Sequence, residues 1–395
     1  MASDRKELPE DEPRNIVPEV FDTPFIATTN ELFELKRKKV CVIGGARPQF
    51  IKLAPVLRAL KAFNDLDITF IHTGQHYDEN LSGIFFNELQ IPAPDINLSV
   101  GSGTPDYQFS QIISKLSEEF RKIKPDLAVV VGDTNSTAAA AISAAILQIP
   151  LAHIESGLRE YSFDIPEEVN KLITDSVASL YFCPTQTAVT NLQAEQKKGK
   201  IVYSGDPGLD LISQHSGKIH KAETILEKLK LSPGEYYFAT CHRALNTNDQ
   251  ANLCAILDAF IRLDRRVIFP VHPRTSKAIR DFKLEHYLTE TNILTIEPIG
   301  FWETQALIKN SSKVITDSGG LIKEAYYHDI YVIIIDTQTE WVEVVNEGRG
   351  IVTGPDSQKI LIAAKNTLPP ESNQKSIGAG NAAEIIASEI YRFIQ

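Results

Sequence analysis

Short apolar runs alternate with amphipathic stretches along almost the whole chain. The runs occupy residues 40–43, 68–71, 127–131, 151–154, 236–240, 267–270, 293–296, 314–316 and 331–335. Helical patterns such as Phe50–Phe63 follow most of them. Because strands that alternate with helices pair in parallel, this pattern predicts an α/β fold with two Rossmann-like, doubly wound sheets.

The apolar runs fall into two series, which indicates two domains. A chain of 395 residues exceeds the size at which a single core keeps growing. The segment Gly205–Gly208 and a polar stretch up to Ser232 separate the two series. We predict an N-terminal arm at 1–38, domains at 39–205 and 206–377, and a C-terminal helix at 378–395, a candidate to cross back to the first domain. In such folds the ligand binds at the carboxyl ends of the strands.

The net charge of −11 disfavours nucleic acid as a partner, because binding to a polyphosphate backbone needs clustered Lys and Arg. No apolar run approaches the roughly 18–20 residues that span a bilayer, and residues 1–38 lack the apolar core of a signal peptide. We therefore expect a cytoplasmic protein that has no membrane partner. The four cysteines are scattered without a C-x-x-C pair, so we expect reduced thiols rather than a disulfide or a metal site.

The segment Asp317–Glu324 joins an apolar run to a helical pattern through a Ser-Gly-Gly turn. The free amide groups at such a helix start attract anions, so Ser318, Gly319 and Gly320 are candidates to bind a phosphate or diphosphate. Glu324 lies one turn into the helix, where its carboxylate can hold a ribose diol. The segment lacks G-x-x-x-x-G-K, so it is not a nucleotide-hydrolysing P-loop. A turn that only packs a helix on a sheet is the alternative.

Two polar clusters follow the first two runs of the chain. Gly44–Lys52 contains two glycines for a tight turn and supplies the cations Arg47 and Lys52. The second cluster ends in Gln75 and His76, which are candidates for loop contacts to a sugar. Its two histidines are four residues apart, but the intervening Gly74 indicates a loop rather than a metal-binding helix.

Asp133 follows the run at 127–131, and Glu155 follows the run at 151–154. A third carboxylate, Glu167, lies at the start of the next helical pattern. Acid–base chemistry on a sugar needs an acid and a base on opposite faces, with pKa values that differ. The alternative is that Asp133 caps a helix and Glu167 complements a helix dipole. Arg159, in the same region, is a candidate to contact the substrate.

Cationic groups follow the first two runs of the second series. His242 and Arg243 come after one run, and His272 and Arg274 come after the next. Such groups can neutralise a diphosphate and the charge of a leaving group. With the Ser-Gly-Gly turn they predict an anion site on the second domain.

These motifs resemble, in order, those of the non-hydrolysing UDP-N-acetylglucosamine 2-epimerases. The matching motifs are GARPQFIK, HTGQH, GDTNST, HIESGLR, PEEVNK, CHR, HPRT, TDSGG and TEWVE, within residues 39–393. The resemblance implies two Rossmann-like domains in a glycosyltransferase B-type arrangement, a homodimer, a UDP-sugar substrate and no cofactor. It also implies a reaction that eliminates UDP to a 2-acetamidoglucal and then adds UDP back with C2 inverted.

The resemblance also assigns roles to individual residues. It gives Asp133, Glu155, Glu167 and His242 catalytic roles, without deciding which acid removes the C2 proton. Arg47 and Lys52 match cationic contacts of the family, and Ser318, Gly319, Gly320 and Glu324 match its UDP site.

Several alternatives stay open at the level of sequence. The segments around Gly300, Lys323 and Trp341 look closer to UDP-2,3-diacetamido-2,3-dideoxyglucuronate 2-epimerases, in which Lys323 and Arg159 would offset a substrate carboxylate. A UDP-sugar glycosyltransferase would share the cleft without requiring three acids. An inactive binder is a further alternative, because Leu245 and Ile322 depart from the family pattern; a hydrolysing relative is another.

Overall fold

The computed structural model describes residues 37–74, 86, 88–289, 292–366 and 376–395. Gln75 and His76 lie outside these residues, so their predicted sugar contacts stay predictions. Residues Arg37–Gln395 form one compact unit that contains both sheets described below.

The first sheet has seven parallel strands in the order β3-β2-β1-β4-β5-β6-β7. Its strands are β1 (Lys38–Gly44), β2 (Leu66–His72), β3 (Ile96–Asn97), β4 (Leu127–Val131), β5 (Leu151–Ile154), β6 (Leu180–Cys183) and β7 (Lys200–Tyr203). Buried Val, Ile and Ala residues fill β1, β4 and β5, as expected for strands covered on both faces.

The second sheet has six parallel strands in the order β10-β9-β8-β11-β12-β13. Its strands are β8 (Tyr236–Thr240), β9 (Arg266–Pro270), β10 (Ile293–Ile296), β11 (Lys313–Thr316), β12 (Val332–Ile334) and β13 (Gly350–Val352). These two sheets, with alternating helices, confirm the predicted α/β fold with doubly wound sheets.

The helices connect and cover the strands. In the first half they are α1 (Arg47–Leu60), α2 (Pro105–Ile123), α3 (Asn135–Ile146), α4 (Pro166–Val177), α5 (Gln186–Ala194), α6 (Pro207–Gln214), α7 (Ser216–Ala222) and α8 (Thr224–Leu229). In the second half they are α9 (Ala244–Thr247), α10 (Gln250–Arg262), α11 (Pro273–Asp281), α12 (Phe301–Lys309), α13 (Gly319–Tyr327), α14 (Val342–Asn346), α15 (Ser357–Ala363) and α16 (Ala382–Ile394). A short 3₁₀ helix spans Glu285–Thr289.

The last helix, α16, packs beside the end of α1. The ring of Tyr391 stacks on that of Phe63 with centroids 4.5 Å apart, and its hydroxyl donates to Asp65 at 2.8 Å. The N–H of Ala383 donates to Asp210 in α6 at 2.6 Å. The C-terminal helix therefore contacts the helical layer of the first sheet, while the predicted domain limits stay predictions.

Each sheet has a point at which the order of the strands reverses. In the first sheet it lies between β1 and β4, and in the second between β8 and β11. Loops that leave the carboxyl ends of such strand pairs diverge to opposite faces and open a crevice. The motif residues that follow β1, β4, β8 and β11 therefore lie at these two crevices. No helix within the described ranges is long and apolar enough to cross a membrane.

Candidate active site

Gln49 fixes the start of α1 against the end of β4. Its Oε1 accepts hydrogen bonds from the N–H groups of Gly45 at 2.7 Å and Ala46 at 2.9 Å. Its Nε2 donates to the carbonyl of Val131 at 2.9 Å. The side chain is buried, so these bonds are made away from water. The first turn of α1 is thus held where the order of the strands reverses. From there the side chain of Lys52 reaches Glu155 at the end of β5.

Glu155 follows β5 directly and lies between two lysines. Its backbone has φ +68°, a left-handed conformation that costs a non-glycine residue about 1–3 kcal/mol. Its carboxylate pairs with Lys52 through Oε2 and with Lys323 at 2.9 Å through Oε1. Burial raises the pKa of Glu155, but Lys323 and Lys52 more than offset this and bring the pKa to about 2. Glu155 is therefore an ionised group throughout the neutral range.

Asp133 follows β4, the neighbour of β5, but it has the opposite character. Burial and the charge of Glu340 raise the pKa of Asp133 to about 7, although Lys171 acts in the other direction. Asn170 donates to the backbone carbonyl of Asp133 at 2.9 Å and so fixes the turn. Asp133 can therefore gain or lose a proton near neutral pH.

Lys171 joins the two halves of the molecule. Its Nζ lies 2.5 Å from Glu340, 3.4 Å from Glu168 and 3.5 Å from Glu160. Lys171 belongs to α4 of the first half, whereas Glu340 follows β12 of the second sheet. The lysine is buried, and its carboxylate partners raise its pKa despite burial. A buried cation thus holds a carboxylate of the second half beside Asp133.

Glu167 has a position different from that of the other two predicted acids. It is exposed in the first turn of α4, and it makes no ion pair or side-chain hydrogen bond with the residues that the structure describes. The adjacent Glu168 is buried and accepts from the N–H groups of Glu160 at 2.9 Å and Tyr161 at 3.2 Å. Glu168 is therefore part of the framework, and Glu167 is the member of the pair that solvent reaches.

Arg159 lies in a buried ionic network. Its guanidinium pairs with Asp175 at 2.8 Å and with Glu195 at 2.7 Å, and its side chain is fully buried. Asp175 also lies 2.6 Å from the ring of His153 and accepts the N–H of Gly157 at 3.1 Å. The charge of Arg159 is therefore already paired, and its predicted substrate contact stays a prediction. Its position is that of a support for the loop that carries Glu155.

Asp317, at the end of β11, organises the loop that follows β8. Its carboxylate accepts from the N–H groups of His242 at 2.9 Å and Arg243 at 2.9 Å, and from the Asn246 side chain at 3.0 Å. His242 remains about one-third exposed, with its Nδ1 3.5 Å from Asp317. The Arg243 guanidinium lies between Glu160 at 3.1 Å and Asp336 at 2.8 Å. The two predicted residues therefore differ in their surroundings: His242 is accessible to solvent, whereas Arg243 links the two halves.

His272 lies next to His242 at the adjacent strand end. The two rings are tilted with centroids 5.3 Å apart. The Nδ1 of His272 accepts the N–H of Arg274 at 3.2 Å and so caps α11. Burial and the neighbouring His242 lower the pKa of His272. These groups, predicted from separate motifs, lie together in the structure.

The Ser-Gly-Gly turn forms the start of α13, as predicted. The N–H of Ser318 donates to the Thr316 hydroxyl at 2.9 Å, and the helix begins at Gly319. The amides in the first turn of a helix have no intrahelical acceptors. Because Gly319 and Gly320 have no side chains, an anion can approach these amides closely.

Glu324 lies one turn further along α13. Its Oε2 accepts from Gln305 at 2.7 Å. Burial raises the pKa of Glu324 to about 7, although the Gln305 hydrogen bond, Lys323 and Arg47 lower it. Arg47, the exposed first residue of α1, is thus close enough to Glu324 for their charges to interact across the two halves.

The two departures from the family pattern have different surroundings. Leu245 in α9 is 44% exposed, so it leaves an apolar side chain in water. Ile322 is buried in a hydrophobic cluster that contains residues of both halves. Within the described ranges, no group of three or more His, Cys, Asp or Glu side chains is arranged to hold a metal ion.

Reasoning from sequence alone missed three residues that shape the site. These are Lys171, Asp206 and Asp317, which pair with groups far away in the chain. Lys171 lies in the motif PEEVNK and Asp317 in the motif TDSGG, so the motifs indicated that these positions have a role. Asp206 lies in the connection between the sheets and gave no such signal.

Comparisons with known proteins agree with this geometry. The family model described as UDP-N-acetylglucosamine 2-epimerase matches residues 58–391. A protein of Methanococcus maripaludis named UDP-N-acetylglucosamine 2-epimerase homolog is 41% identical over 348 residues, which cover 87% of this chain and 97% of that protein. The UDP-2,3-diacetamido-2,3-dideoxy-D-glucuronate 2-epimerase of Pseudomonas aeruginosa is 36% identical over 357 residues, which cover 88% and 98% of the two chains.

A solved structure gives the same result for the fold. The crystal structure of Methanocaldococcus jannaschii UDP-GlcNAc 2-epimerase, in complex with UDP-GlcNAc and UDP, matches with a TM-score of 0.84 and 36% sequence identity. The match covers 90% of this chain and 99% of that one. The similarity therefore extends over both sheets and is not limited to a shared motif.

Proposed function

Because the chain belongs to the UDP-N-acetylglucosamine 2-epimerase family, we propose that it interconverts UDP-N-acetylglucosamine and UDP-N-acetylmannosamine without net hydrolysis. One observation carries the proposal: Asp133 and Glu155 follow neighbouring strands, yet their pKa values are displaced in opposite directions, to about 7 and about 2. Groups separated in this way can take different roles in acid–base chemistry.

The reaction consists of an elimination and an addition. In the elimination, the C1–O bond to the diphosphate breaks and its electron pair leaves with UDP. A carboxylate removes the C2 proton, and the electrons of the C2–H bond form the C1=C2 bond of a 2-acetamidoglucal. In the addition, a proton reaches C2 from the opposite face and a UDP oxygen attacks C1. The net change is inversion at C2.

Each carboxylate has a proposed role that fits its surroundings. Asp133, with its pKa of about 7, transfers a proton to or from C2 on one face. Glu155 stays ionised between its lysines and stabilises the positive charge that develops at C1 as the diphosphate leaves. Glu167, accessible in the first turn of α4, transfers the proton on the other face.

The UDP moiety occupies the second half of the proposed site. The first amides of α13, at Gly319 and Gly320 beside Ser318, donate hydrogen bonds to the diphosphate, as their position at a helix start favours. Glu324 holds the ribose. His242, which is partly exposed next to these groups in the loop fixed by Asp317, donates to the departing diphosphate.

The proposal also includes a homodimer, as the resemblance to the family implies, and a location in the cytoplasm, as the sequence predicts. Sedimentation of the purified protein tests the oligomeric state. A mass of twice the 43.9 kDa of one chain agrees with the dimer, and a mass of one chain contradicts it.

A diacetamidouronate substrate is the second candidate, because one relative bears that name. The two cations predicted to offset its carboxylate are already paired: Lys323 with Glu155 and Asp206, and Arg159 with Asp175 and Glu195. This pairing favours the neutral sugar as the substrate.

Proton NMR in heavy water tests the proposal directly. UDP-N-acetylglucosamine and the diacetamidouronate nucleotide are incubated separately with the protein. The expected result with the neutral sugar is a UDP-linked manno product with deuterium at C2. Faster exchange with the uronate would replace the proposed substrate. Tight UDP binding without exchange in either sample would favour a glycosyltransferase or an inactive binder.

A further inference from the structure

Lys323 connects the proposed diphosphate site to the Glu155 carboxylate. It is the fifth residue of α13, one turn after the glycines that begin the helix, and it is 4% exposed. Its Nζ lies 2.9 Å from Glu155 and also pairs with Asp206, the N-cap residue of α6. The centroid of the Trp341 ring lies 5.0 Å from the same Nζ. The ammonium group therefore has a partner on several sides.

We infer that Lys323 is a positioning residue for the epimerisation: it ties the Glu155 carboxylate to the helix whose start accepts the diphosphate. The inference rests on the proposed function. Glu155 already has one cation partner in Lys52, so Lys323 is not needed merely to neutralise it. What Lys323 adds is a mechanical connection, because it belongs to α13 whereas Lys52 belongs to α1.

Two other roles for Lys323 agree less well with these contacts. A direct contact to a substrate carboxylate would require the buried ammonium to leave Glu155 or Asp206. A purely stabilising role is a weak explanation, because apolar residues of similar volume often stabilise a protein as well as a buried ion pair does. A positioning role needs the charge itself, and this property can be measured.

The charged groups around Glu155 determine what removal of Lys323 does. Glu155 pairs with Lys52 from α1 and Lys323 from α13, and its charge interacts with that of Asp133 at the end of β4. The Asp206 carboxylate pairs with Lys323, and the buried Tyr327 hydroxyl interacts with Asp206 and Glu155. Loss of one cation within 4–6 Å raises a carboxyl pKa by about 1–3 units. Without Lys323 the Glu155 carboxyl therefore titrates at a higher pH, and its orientation depends on Lys52 alone.

The test compares Lys323→Met with Lys323→Arg and with a control, Arg349→Met. The control removes another buried cation, which pairs with Asp329 at 2.8 Å and makes no contact with Glu155. For each protein, kcat, KM for UDP-N-acetylglucosamine and the affinity for UDP are measured from pH 3 to pH 9.

The expected result for Lys323→Met is a fall in kcat of about 10²-fold, as for other small misplacements of catalytic groups. The acid limb that Glu155 gives lies near pH 2 in the wild type, below the measured range, and in this variant it rises by about 1–3 units into that range. KM and UDP affinity stay near the wild-type values. Lys323→Arg restores the acid limb, and Arg349→Met leaves it unmoved. An equal loss at every pH that Arg does not restore would overturn the inference, and a raised KM would indicate a substrate contact instead.

A double variant keeps the test decisive if Lys323→Met does not fold. Lys323→Met with Asp206→Asn removes the carboxylate that would otherwise be buried without a partner. It is expected to fold and to retain the raised acid limb. A folded double variant with a wild-type acid limb contradicts the inference.

Infrared titration separates this inference from the proposed function. The carboxylate band of Glu155 is assigned by subtraction of the Glu155→Gln spectrum and followed with pH, which requires no turnover. A higher midpoint in Lys323→Met supports the coupling even if the wild-type protein exchanges no C2 proton, a result that would end only the proposed function. An unchanged midpoint overturns the coupling even if the protein is an active epimerase.

Discussion

The ends of β4 and β5 differ strongly in charge although the two strands are neighbours. Val131 pairs with Ile154 in the sheet, and Asp133 and Glu155 follow within two residues. Glu155 forms ion pairs with two lysines, whereas the charge of the Glu340 carboxylate acts on Asp133. The strands therefore bring two carboxylates to one edge, and groups from other parts of the chain keep one of them ionised and let the other titrate near neutral pH. The division of roles is a tertiary property.

The largest expected effect is that of Glu155→Gln. The amide keeps the shape of the side chain but removes the charge between Lys52 and Lys323. We expect turnover to fall by about 10³-fold, the upper end of the loss when one electrostatic stabiliser of a transition state is removed. The measurement is kcat with circular dichroism as the check of folding. Glu119→Gln, which removes a surface partner of Lys122, serves as the control and should keep full activity. Full activity of the Glu155 variant would remove this residue from the mechanism.

Asp133→Asn is expected to have the next largest effect. It removes the group that titrates near pH 7, so turnover should fall by about 10²-fold and the remaining activity should lose its dependence on pH in that region. Deuterium incorporation at C2, measured by NMR across pH 5 to 9, gives both quantities. A variant that retains the wild-type pH profile would show that another group gives rise to the titration.

The two carboxylates should also affect stability in opposite directions as pH changes. The pKa of Asp133 rises on folding from 3.8 to about 7, so the folded state binds the proton more tightly and stability falls as pH rises through this window. The pKa of Glu155 falls from 4.5 to about 2, so its contribution is lost as pH falls from 4.5 towards 2.

Urea unfolding between pH 3 and pH 8 measures this difference. Relative to wild type, Asp133→Asn should gain stability as pH rises from 4 to 7, whereas Glu155→Gln should gain stability as pH falls below 4.5. The same slope in both variants would contradict the opposite shifts.

Glu340→Gln should reduce the difference in pKa between Asp133 and Glu155, the carboxylates that follow β4 and β5. It removes the charge that, after burial, does most to raise the pKa of Asp133, and it releases Lys171 from the shortest of its three ion pairs. We expect the titration near pH 7 to move down by about one unit, at the low end of single-charge effects. The pH profile of kcat measures the shift. A move to higher pH would mean that Glu340 acts chiefly through its hold on Lys171.

Gly132→Ala is expected to have the smallest effect. Gly132 has φ +69°, and a Cβ there would lie 3.3 Å from the Glu155 carboxylate. The left-handed conformation alone costs an alanine about 1–2 kcal/mol. Gly234→Ala is the matched control, because Gly234 has φ +77° and open space around a Cβ. Urea unfolding should show a similar loss for both, and only Gly132→Ala should also lower kcat. Equal activity of the two variants would contradict crowding at Glu155.

Much of the fold follows from local patterns. The predicted run at residues 127–131 is β4, and that at 151–154 is β5, because long buried runs leave few alternatives. The short strands β3, β6, β7 and β13 were missed. They have two to four residues each, and β7 is only partly buried, so hydrophobic periodicity cannot identify them.

The site was only partly predictable, and for a physical reason. Asp133 and Glu155 were found because motifs at strand ends meet at one edge of a parallel sheet. The partners that set their pKa values come from far along the chain: Lys323 is 168 residues from Glu155. Spacing along the chain cannot reveal such a contact. Nor can it reveal that Asp175 and Glu195 pair with the guanidinium of Arg159, whose substrate contact stays a prediction.

The chain of contacts from Asp206 through Lys323 to Glu155 has a consequence for the evolution of this protein. A single replacement of the lysine leaves two buried carboxylates facing each other, whereas replacement of Lys323 together with Asp206 leaves none without a partner. Substitutions at Asp206 and Lys323 should therefore be accepted as a pair more readily than one by one. Among relatives, the residues that align with Asp206 and Lys323 should change together more often than either changes alone.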